Sequence, residues 1–365
     1  MTSAKQALLG IFRHVAELNA SDVYLTTGAM PTIKVQGIHR QLGNQRLASG
    51  RTRELAYSIL SGEQIARFEA EKELNLSYWA ESIGRFRVNV YQQRGEVAMV
   101  ARFVNSQVPD LATLGLPPVV AQLAQLQRGL VLVVGATGSG KSSTLAAMIN
   151  HRASRHPGHI LTFEDPIEFL ITHQRSTVDQ REIGVDTLSF ESALRNAMRQ
   201  APNVIVIGEI RDRETMQHAI AYAETGHLCI STLHANNANQ AIKRILNFFP
   251  DSAHGQLLMD LSLNLQSVIA QRLLPGNTGN LVLAYEIMMR TAFIADLISK
   301  GKIDEIRSAI AKNSEAGMQS FDQCLLDLHS KNRIDAAIAL ANADSRTDLG
   351  LKMRLNGYGI HPQAD

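Results

Sequence analysis

Residues 129–144, GLVLVVGATGSGKSST, combine glycine, lysine and hydroxyl groups at a spacing that suits one task, holding a chain of phosphates. Gly135, Gly140, Lys141 and Ser142 match G-x-x-x-x-G-K-[ST]. Phosphate oxygens need several backbone N–H groups converging from one side, and glycines let the backbone turn tightly and come close. A helix that begins at the lysine aims its unpaired N–H groups and the positive end of its dipole at the anion. Lys141 can then reach the β- and γ-phosphates, and the Ser142 hydroxyl can ligate Mg²⁺. The expected cradle is Gly135, Ala136, Thr137, Gly138, Ser139, Gly140, Lys141, Ser142 and Ser143.

Hydrolysis asks for more than a cradle. A carboxylate must orient or deprotonate the attacking water, and further oxygens must hold the metal. Glu164, followed by Asp165, closes the apolar run HILTF and is one candidate for both tasks; the plainer alternative is a solvated acidic turn before Pro166. NVIVIGEIRD (203–212) is an apolar strand ending in Gly208-Glu209, the form of a Walker B element with Glu where Asp is more usual. Glu209 could hold Mg²⁺ directly or through water, the alternative being a helix start with Asp212 as its N-cap. GHLCISTLH (226–234) puts His227 and His234 at either end of a strand, where Thr232 and His234 could read the γ-phosphate. Arginines 85, 87, 94 and 102 fall near one acid, Glu96. If Arg94-Gly95 is a two-residue hairpin turn, Arg87 stands directly opposite Arg102. Facing like charges destabilise a sheet unless an anion sits between them, so these two are either anion ligands or part of a solvated or acid-paired face. Arg195 and Arg199 form a second pair at i, i+4 on a predicted helix.

These groups need elements to position them. From Gly129 onward strands alternate with helices: strands at 130–134, 159–163, 203–207, 228–232 and 281–287, helices at 141–152, 189–200, 212–224, 236–247 and 254–271. Such alternation predicts a largely parallel sheet with helices on both faces and a ligand at the carboxyl ends of the strands. Before it, a helix over 4–18, strands at 23–27 and 32–37, one or two helices over 51–74 and a β-rich stretch over 76–104 predict a mixed α+β domain over 1–105. SQVPDLATLGLPP (106–118), with three prolines and a glycine, is the expected linker to a core over 119–290. Helical patterns fill 291–344, and 345–365 shows no clear periodicity and is expected to be mobile.

The 365 residues suit two domains, and a net charge of +2 leaves no global basic field that would call for nucleic acid. No apolar run approaches the ~20 residues needed to span a bilayer. Two cysteines are too few for a disulfide framework or a four-thiolate zinc site, and no secretory leader is apparent, so a reduced, cytoplasmic setting is expected.

The order of the motifs is more specific than any one of them. GATGSGKSS, LTFEDPIEF, IGEIRD and TGHLCISTLHAN resemble the Walker A, Asp box, atypical Walker B and His box of the type IV pilus and type II secretion ATPases, and the likeness runs from ASDVYLTTGAMP to GMQSFDQCL. Within that family the chain looks like the retraction branch, PilT and PilU, because two cysteines cannot supply the four-cysteine insertion of the assembly branch. FIADLISK (293–300) and the loop QREIGVDTLSF depart from the PilT pattern, so the accessory PilU-type paralogue is the nearer match. The resemblance implies a PAS-like N-terminal α+β domain and a RecA-like P-loop ATPase domain with a C-terminal helical segment. It further implies an ATP- and Mg²⁺-dependent homo-hexameric motor at the cytoplasmic face of the inner membrane. Its partners would be the pilus platform protein and the PilT paralogue. By matched motif Glu164 would be the catalytic glutamate, and Glu209 the Walker B carboxylate. His227 and His234 would be the His-box histidines, with Arg87, Arg102, Arg195 and Arg199 brought to a nucleotide. The alternatives are a PilT-like primary motor and a nucleotide-binding regulatory subunit with slow turnover.

Overall fold

The computed structural model describes residues 3–35, 37–104, 107–313 and 317–357. The chain is α/β and forms two compact units, one of residues 1–107 with 167–170, the other of 108–166 with 171–365. The expected domain end at Asn105 and linker start at Ser106 lie outside the described residues, as do 358–365.

The first unit is a six-stranded antiparallel sheet. Its strands are β1 (Asp22–Thr26), β2 (Thr32–Val35), β3 (Ile38–Gln41), β4 (Glu73–Ala80), β5 (Gly84–Gln93) and β6 (Glu96–Val104), in the order β3-β2-β1-β6-β5-β4. Helices α1 (Ser3–Glu17), α2 (Arg51–Tyr57) and α3 (Gly62–Glu71) belong to it. Leu8, Phe12 and Val15, at helical spacing on α1, are wholly buried, and Phe12 stacks on Phe86 of β5. The hairpin turns at Arg94-Gly95, both with positive φ, and Arg87 pairs with Arg102 as expected. Strand β3 escaped the sequence reading because its four residues are all exposed, leaving no alternation to detect.

The second unit holds a seven-stranded sheet in the order β13-β12-β7-β11-β10-β8-β9. Its strands are β7 (Gly129–Gly135), β8 (Gly158–Glu164), β9 (Ser176–Glu182), β10 (Val204–Ile207), β11 (Leu228–Leu233), β12 (Leu265–Pro275) and β13 (Leu281–Met289). All neighbours pair in parallel except β13, which runs antiparallel to β12. Every residue of β7 is buried, as a parallel strand covered on both faces requires. Helices α4 (Pro118–Leu123), α5 (Lys141–Arg155), α6 (Phe190–Ala197), α7 (Arg213–Glu224), α8 (Ala238–Leu246) and α9 (His254–Asn264) lie between the strands in sequence. Beyond the sheet come α10 (Ala292–Ser299), α11 (Ile306–Lys312), α12 (Phe321–Ser330), α13 (Ala336–Ala341) and α14 (Arg346–Leu355).

Several expectations are corrected. The helix predicted over 254–271 stops at Asn264, and the chain continues as β12. LQSVIAQRLLP is apolar enough for either period; pairing with β7 on one side and β13 on the other decides for strand. Strand β9, STVDQRE, is an edge strand too polar to announce itself. The helix expected to carry both Arg195 and Arg199 ends at Ala197, and Arg199 sits on the 3-10 turn Met198–Gln200. Within the tail expected to be mobile, Arg346–Leu355 form α14, whose Leu349 and Met353 are buried against the C-terminal helices. No helix among the described residues is long and apolar enough to cross a membrane.

One buried acid ties the sheet to its helices. Glu286 of β13 is 2% exposed and accepts a hydrogen bond from the Ala238 N–H at the start of α8, at 2.9 Å. Burial pushes its carboxyl up to about 7; Asp344 adds to the rise, while the Ala238 N–H, Arg272 and Arg307 oppose it. A raised acid favours the fold at low pH, and that contribution is lost as pH rises from the ordinary carboxylate range through about 7. Glu286→Gln keeps an oxygen for Ala238 and removes the charge. Its melting temperature relative to wild type should therefore climb by a few degrees between about pH 5 and about pH 8. A difference that stays flat across that window would mean that Glu286 is not forced to ionise in place.

Candidate active site

The cradle is built where β7 meets α5. A Cβ on Gly135 would sit 2.3 Å from Ser139 Oγ and 2.6 Å from the Gln271 carbonyl oxygen, so only glycine lets the loop fold back on β12. Gly140, at φ 87°, turns the chain into α5, whose first residue is Lys141. Lys141 is buried, and its Nζ donates to the carbonyls of Gly135 (3.0 Å) and Ala136 (2.9 Å), within the loop that should receive phosphate. Ser142 and Ser143 follow in the first helical turn. Thr137, Gly138 and Ser139 line a cavity with Asn236, Gln271 and Arg272. Ser139 Oγ and Gln271 Oε1, both buried, have no hydrogen-bond partner among the described residues, while Gln271 Nε2 donates to Thr144 Oγ1 at 2.7 Å. The Ser139 hydroxyl can donate, so together with the N–H donors of the loop it offers an anion one more hydrogen bond.

The carboxyl ends of β8, β10 and β11 put the acids on the same edge of the sheet as that loop. Gly208 packs so closely on β8 that an added Cβ would lie 3.0 Å from the Phe163 carbonyl oxygen and 3.2 Å from Glu164 Cα, which sets Glu209 next to the end of β8. Glu164 accepts from Thr162 Oγ1 at 2.6 Å and from Gln180 Nε2 at 3.0 Å, both on Oε1. Glu209 is held on both oxygens, by Arg211 Nε at 2.9 Å and by His234 Nε2 at 3.1 Å. Arg211 also reaches Asp165 at 3.3 Å. Burial first, and the Lys141 charge next, hold the His234 imidazole below its ordinary range, against the pull of Glu209. His234 is thus neutral near pH 7, a hydrogen-bonding group rather than a second cation beside the lysine.

Other expected site residues lie elsewhere. His227 precedes β11 and His234 follows it, so at a strand rise of about 3.3 Å per residue the two are roughly 20 Å apart. His227 Nδ1 instead meets Thr225 Oγ1 at 3.2 Å. Arg199 precedes β10 and so lies at the opposite end of that strand from Glu209, and Arg195 pairs with Glu191 one turn back on α6. Arg87 and Arg102 belong to the first unit. Of that facing pair, Arg102 is not short of a carboxylate: its Nε lies 2.7 Å from Asp22 Oδ1 on neighbouring β1. Glu96, the one acid near it in sequence, is occupied by Ser49, Gly50 and Thr27.

Groups not singled out in the sequence also stand at the site. Thr162 and Gln180 hold Glu164, and Arg211 bridges Glu209 to Asp165. Gln240, Lys243 and Arg244 of α8 and its C-cap Asn247, at i, i+3, i+4 and i+7, line a cavity with Gly135, Ala136 and His234. That periodic polar face was visible in the sequence; its direction was not.

The type II/IV secretion system protein family matches residues 6–292. The chain is 47% identical over 346 residues to the type IV pilus ATPase PilU of Pseudomonas aeruginosa, covering 94% of this chain and 91% of that protein. It is 40% identical over 319 residues to the type IV pilus retraction ATPase PilT of the same organism, covering 87% and 93%. The crystal structure of the pilus retraction motor PilT with bound ADP superposes with a TM-score of 0.88 at 40% identity, covering 94% of this chain and 98% of that one.

Proposed function

The chain belongs to the type II/IV secretion system protein family and, within it, to the PilT/PilU group of type IV pilus ATPases, and from that premise we propose that it is a homo-hexameric motor that spends ATP hydrolysis on pilus retraction, of the accessory PilU type. Its enzymatic activity is ATP hydrolysis. The observation that carries the reading is the convergence of Lys141, Glu164, Glu209 and His234 on one edge of a parallel sheet, around a loop that only glycines permit.

In this reading the second unit is a RecA-like engine and the first a PAS-like module. The N–H groups of residues 136–143 and the Lys141 ammonium hold the β- and γ-phosphates. Glu164 takes a proton from the water that attacks the γ-phosphorus as the bond to ADP breaks, and phosphate leaves. His234, neutral, gives its one N–H, on Nε2, to Glu209 and so holds that acid in place at the site. Hard oxygen donors suit Mg²⁺, and Ser142 with Glu209 and Glu164 would supply them. Because both Glu209 oxygens are already engaged, it would act through water. Held there, the ion would supply positive charge to offset that on the phosphates. The higher identity to PilU than to PilT, 47% against 40%, favours the accessory type, as does Ala295 and Ser299 standing where the PilT pattern has arginines. Partners are the inner-membrane platform protein and the PilT paralogue, at the cytoplasmic face. The test is retraction with this protein as the only retraction ATPase present: an accessory motor hydrolyses ATP but does not retract alone. Retraction at full rate would make it a primary motor, and negligible steady-state hydrolysis would make it a scaffold.

Arg87 and Arg102, in the unit that lacks the phosphate loop, then serve a neighbour's nucleotide. Arginine supplied in trans makes hydrolysis depend on assembly. Arg87→Ala is the cleaner probe, since Arg102→Ala also strands the buried Asp22. Each variant should fold and turn over slowly, and titrating either into Lys141→Ala should restore part of the activity, because some interfaces join an intact loop to an intact arginine. If phosphate release never exceeds the sum of the two parents while mixed rings form, the arginines do not act across subunits.

A further inference from the structure

The acid assigned to water activation is not left to find its own orientation. Thr162 and Glu164 are two residues apart on β8, so their side chains leave the same face of the sheet. Gln180 of β9 is the register partner of Thr162 in a parallel pair and shares that face. The three meet: Thr162 Oγ1 donates to Glu164 Oε1 at 2.6 Å, and Gln180 Nε2 donates to the same oxygen at 3.0 Å. Gln180 cannot turn its amide round without loss, because its Oε1 accepts the Ile171 N–H at 2.8 Å. The Ile171 N–H therefore dictates which end of the amide faces the acid. Thr162 is wholly buried, so its hydroxyl has no water to bond instead.

We propose that Thr162 and Gln180 are positioning residues for Glu164, fixing the plane of its carboxylate so that it meets the attacking water. The terminal torsion of a glutamate is broad and close to two-fold, so an unheld carboxylate samples many orientations. Two donors on one oxygen remove that freedom, and both suit an ionised acceptor. Orientation of this kind acts on the chemical step and leaves nucleotide binding alone, since neither residue belongs to the phosphate loop. The proposal rests on the reading of Glu164 as the base, and the experiment separates the two.

The experiment is steady-state ATP hydrolysis by the full chain. Gln180→Glu keeps an oxygen for the Ile171 N–H but replaces the donor to Glu164 with another acceptor. Thr162→Val keeps the shape and removes the hydroxyl; Thr162→Ser keeps the donor. Gln180→Glu and Thr162→Val should each lower kcat about tenfold or more, with KM for ATP within about twofold of wild type, and Thr162→Ser should restore most of the loss. Combined with Glu164→Gln, neither should lower kcat further. A Gln180 that merely supports the loop at Ile171 predicts unchanged kcat in Gln180→Glu. The proposal is overturned by kcat near wild type in both donor-deleting variants, by KM and kcat moving together, or by Thr162→Ser being as impaired as Thr162→Val. If Gln180→Glu does not fold, the two Thr162 variants decide alone. Should Glu164→Gln itself keep turnover, the base assignment falls and this proposal with it. If Glu164→Gln loses turnover while the donor deletions do not, only the positioning role falls.

Discussion

Lys141→Ala is expected to abolish ATP hydrolysis, with a fall of roughly a thousandfold or more in kcat, the scale of losing one cation from a phosphoryl-transfer site. The ammonium is the one charge carried by the loop itself, and it is held at the base of that loop by the carbonyls of Gly135 and Ala136. Charge accumulates on the transferring phosphoryl oxygens as the bond to ADP breaks, and in a partly desolvated site a fixed cation stabilises it far more than in water. Backbone N–H groups can still hold the phosphates, so nucleotide affinity should weaken rather than vanish. The variant must first be shown to be folded, because the alanine leaves the two carbonyls without their donor. The measurement is phosphate release beside binding of a fluorescent ATP analogue. Near-wild-type turnover by a folded Lys141→Ala protein would remove the whole site assignment, not one residue of it.

Glu164→Gln is expected to bind ATP normally and to lose turnover by about 100-fold, the usual scale for a lost general base. The amide keeps the size of the side chain, and its oxygen can still accept from Thr162 and Gln180, so the surroundings need not move. What disappears is the basic oxygen, and with it the acceptor for the proton of the attacking water. Binding and turnover therefore separate, which distinguishes this variant from Lys141→Ala. If turnover stays within about threefold of wild type, the base lies elsewhere, and Glu209→Gln is the next variant. That change would also disturb Arg211 and His234, since both are held by Glu209, so its effect should extend to binding.

The amino-acid sequence by itself determined the phosphate site, because that site is nearly self-contained. The expected cradle, its lysine and the hydroxyl proposed for Mg²⁺ fall within nine consecutive residues, and the helix whose dipole would complete them starts at the same lysine. Alternating buried strands and amphipathic helices likewise announced a largely parallel sheet, and with it the strand ends at which a ligand was to be expected. Tertiary structure decided everything that depends on residues distant in sequence. Leu265–Pro275 is a strand only because β7 and β13 flank it. Arg102 looked short of an acid until Asp22, 80 positions earlier, was placed beside it. Two histidines of one short motif part company because a strand lies between them: His234 joins Glu209, and His227 faces the other way. Gln180, the residue that orients Glu164, sits on a polar edge strand without periodicity, and only parallel pairing with β8 reveals it. A motif is legible when its parts share a few turns of chain; a charge's partner is chosen by the fold, since neighbours across a sheet are neighbours in space alone.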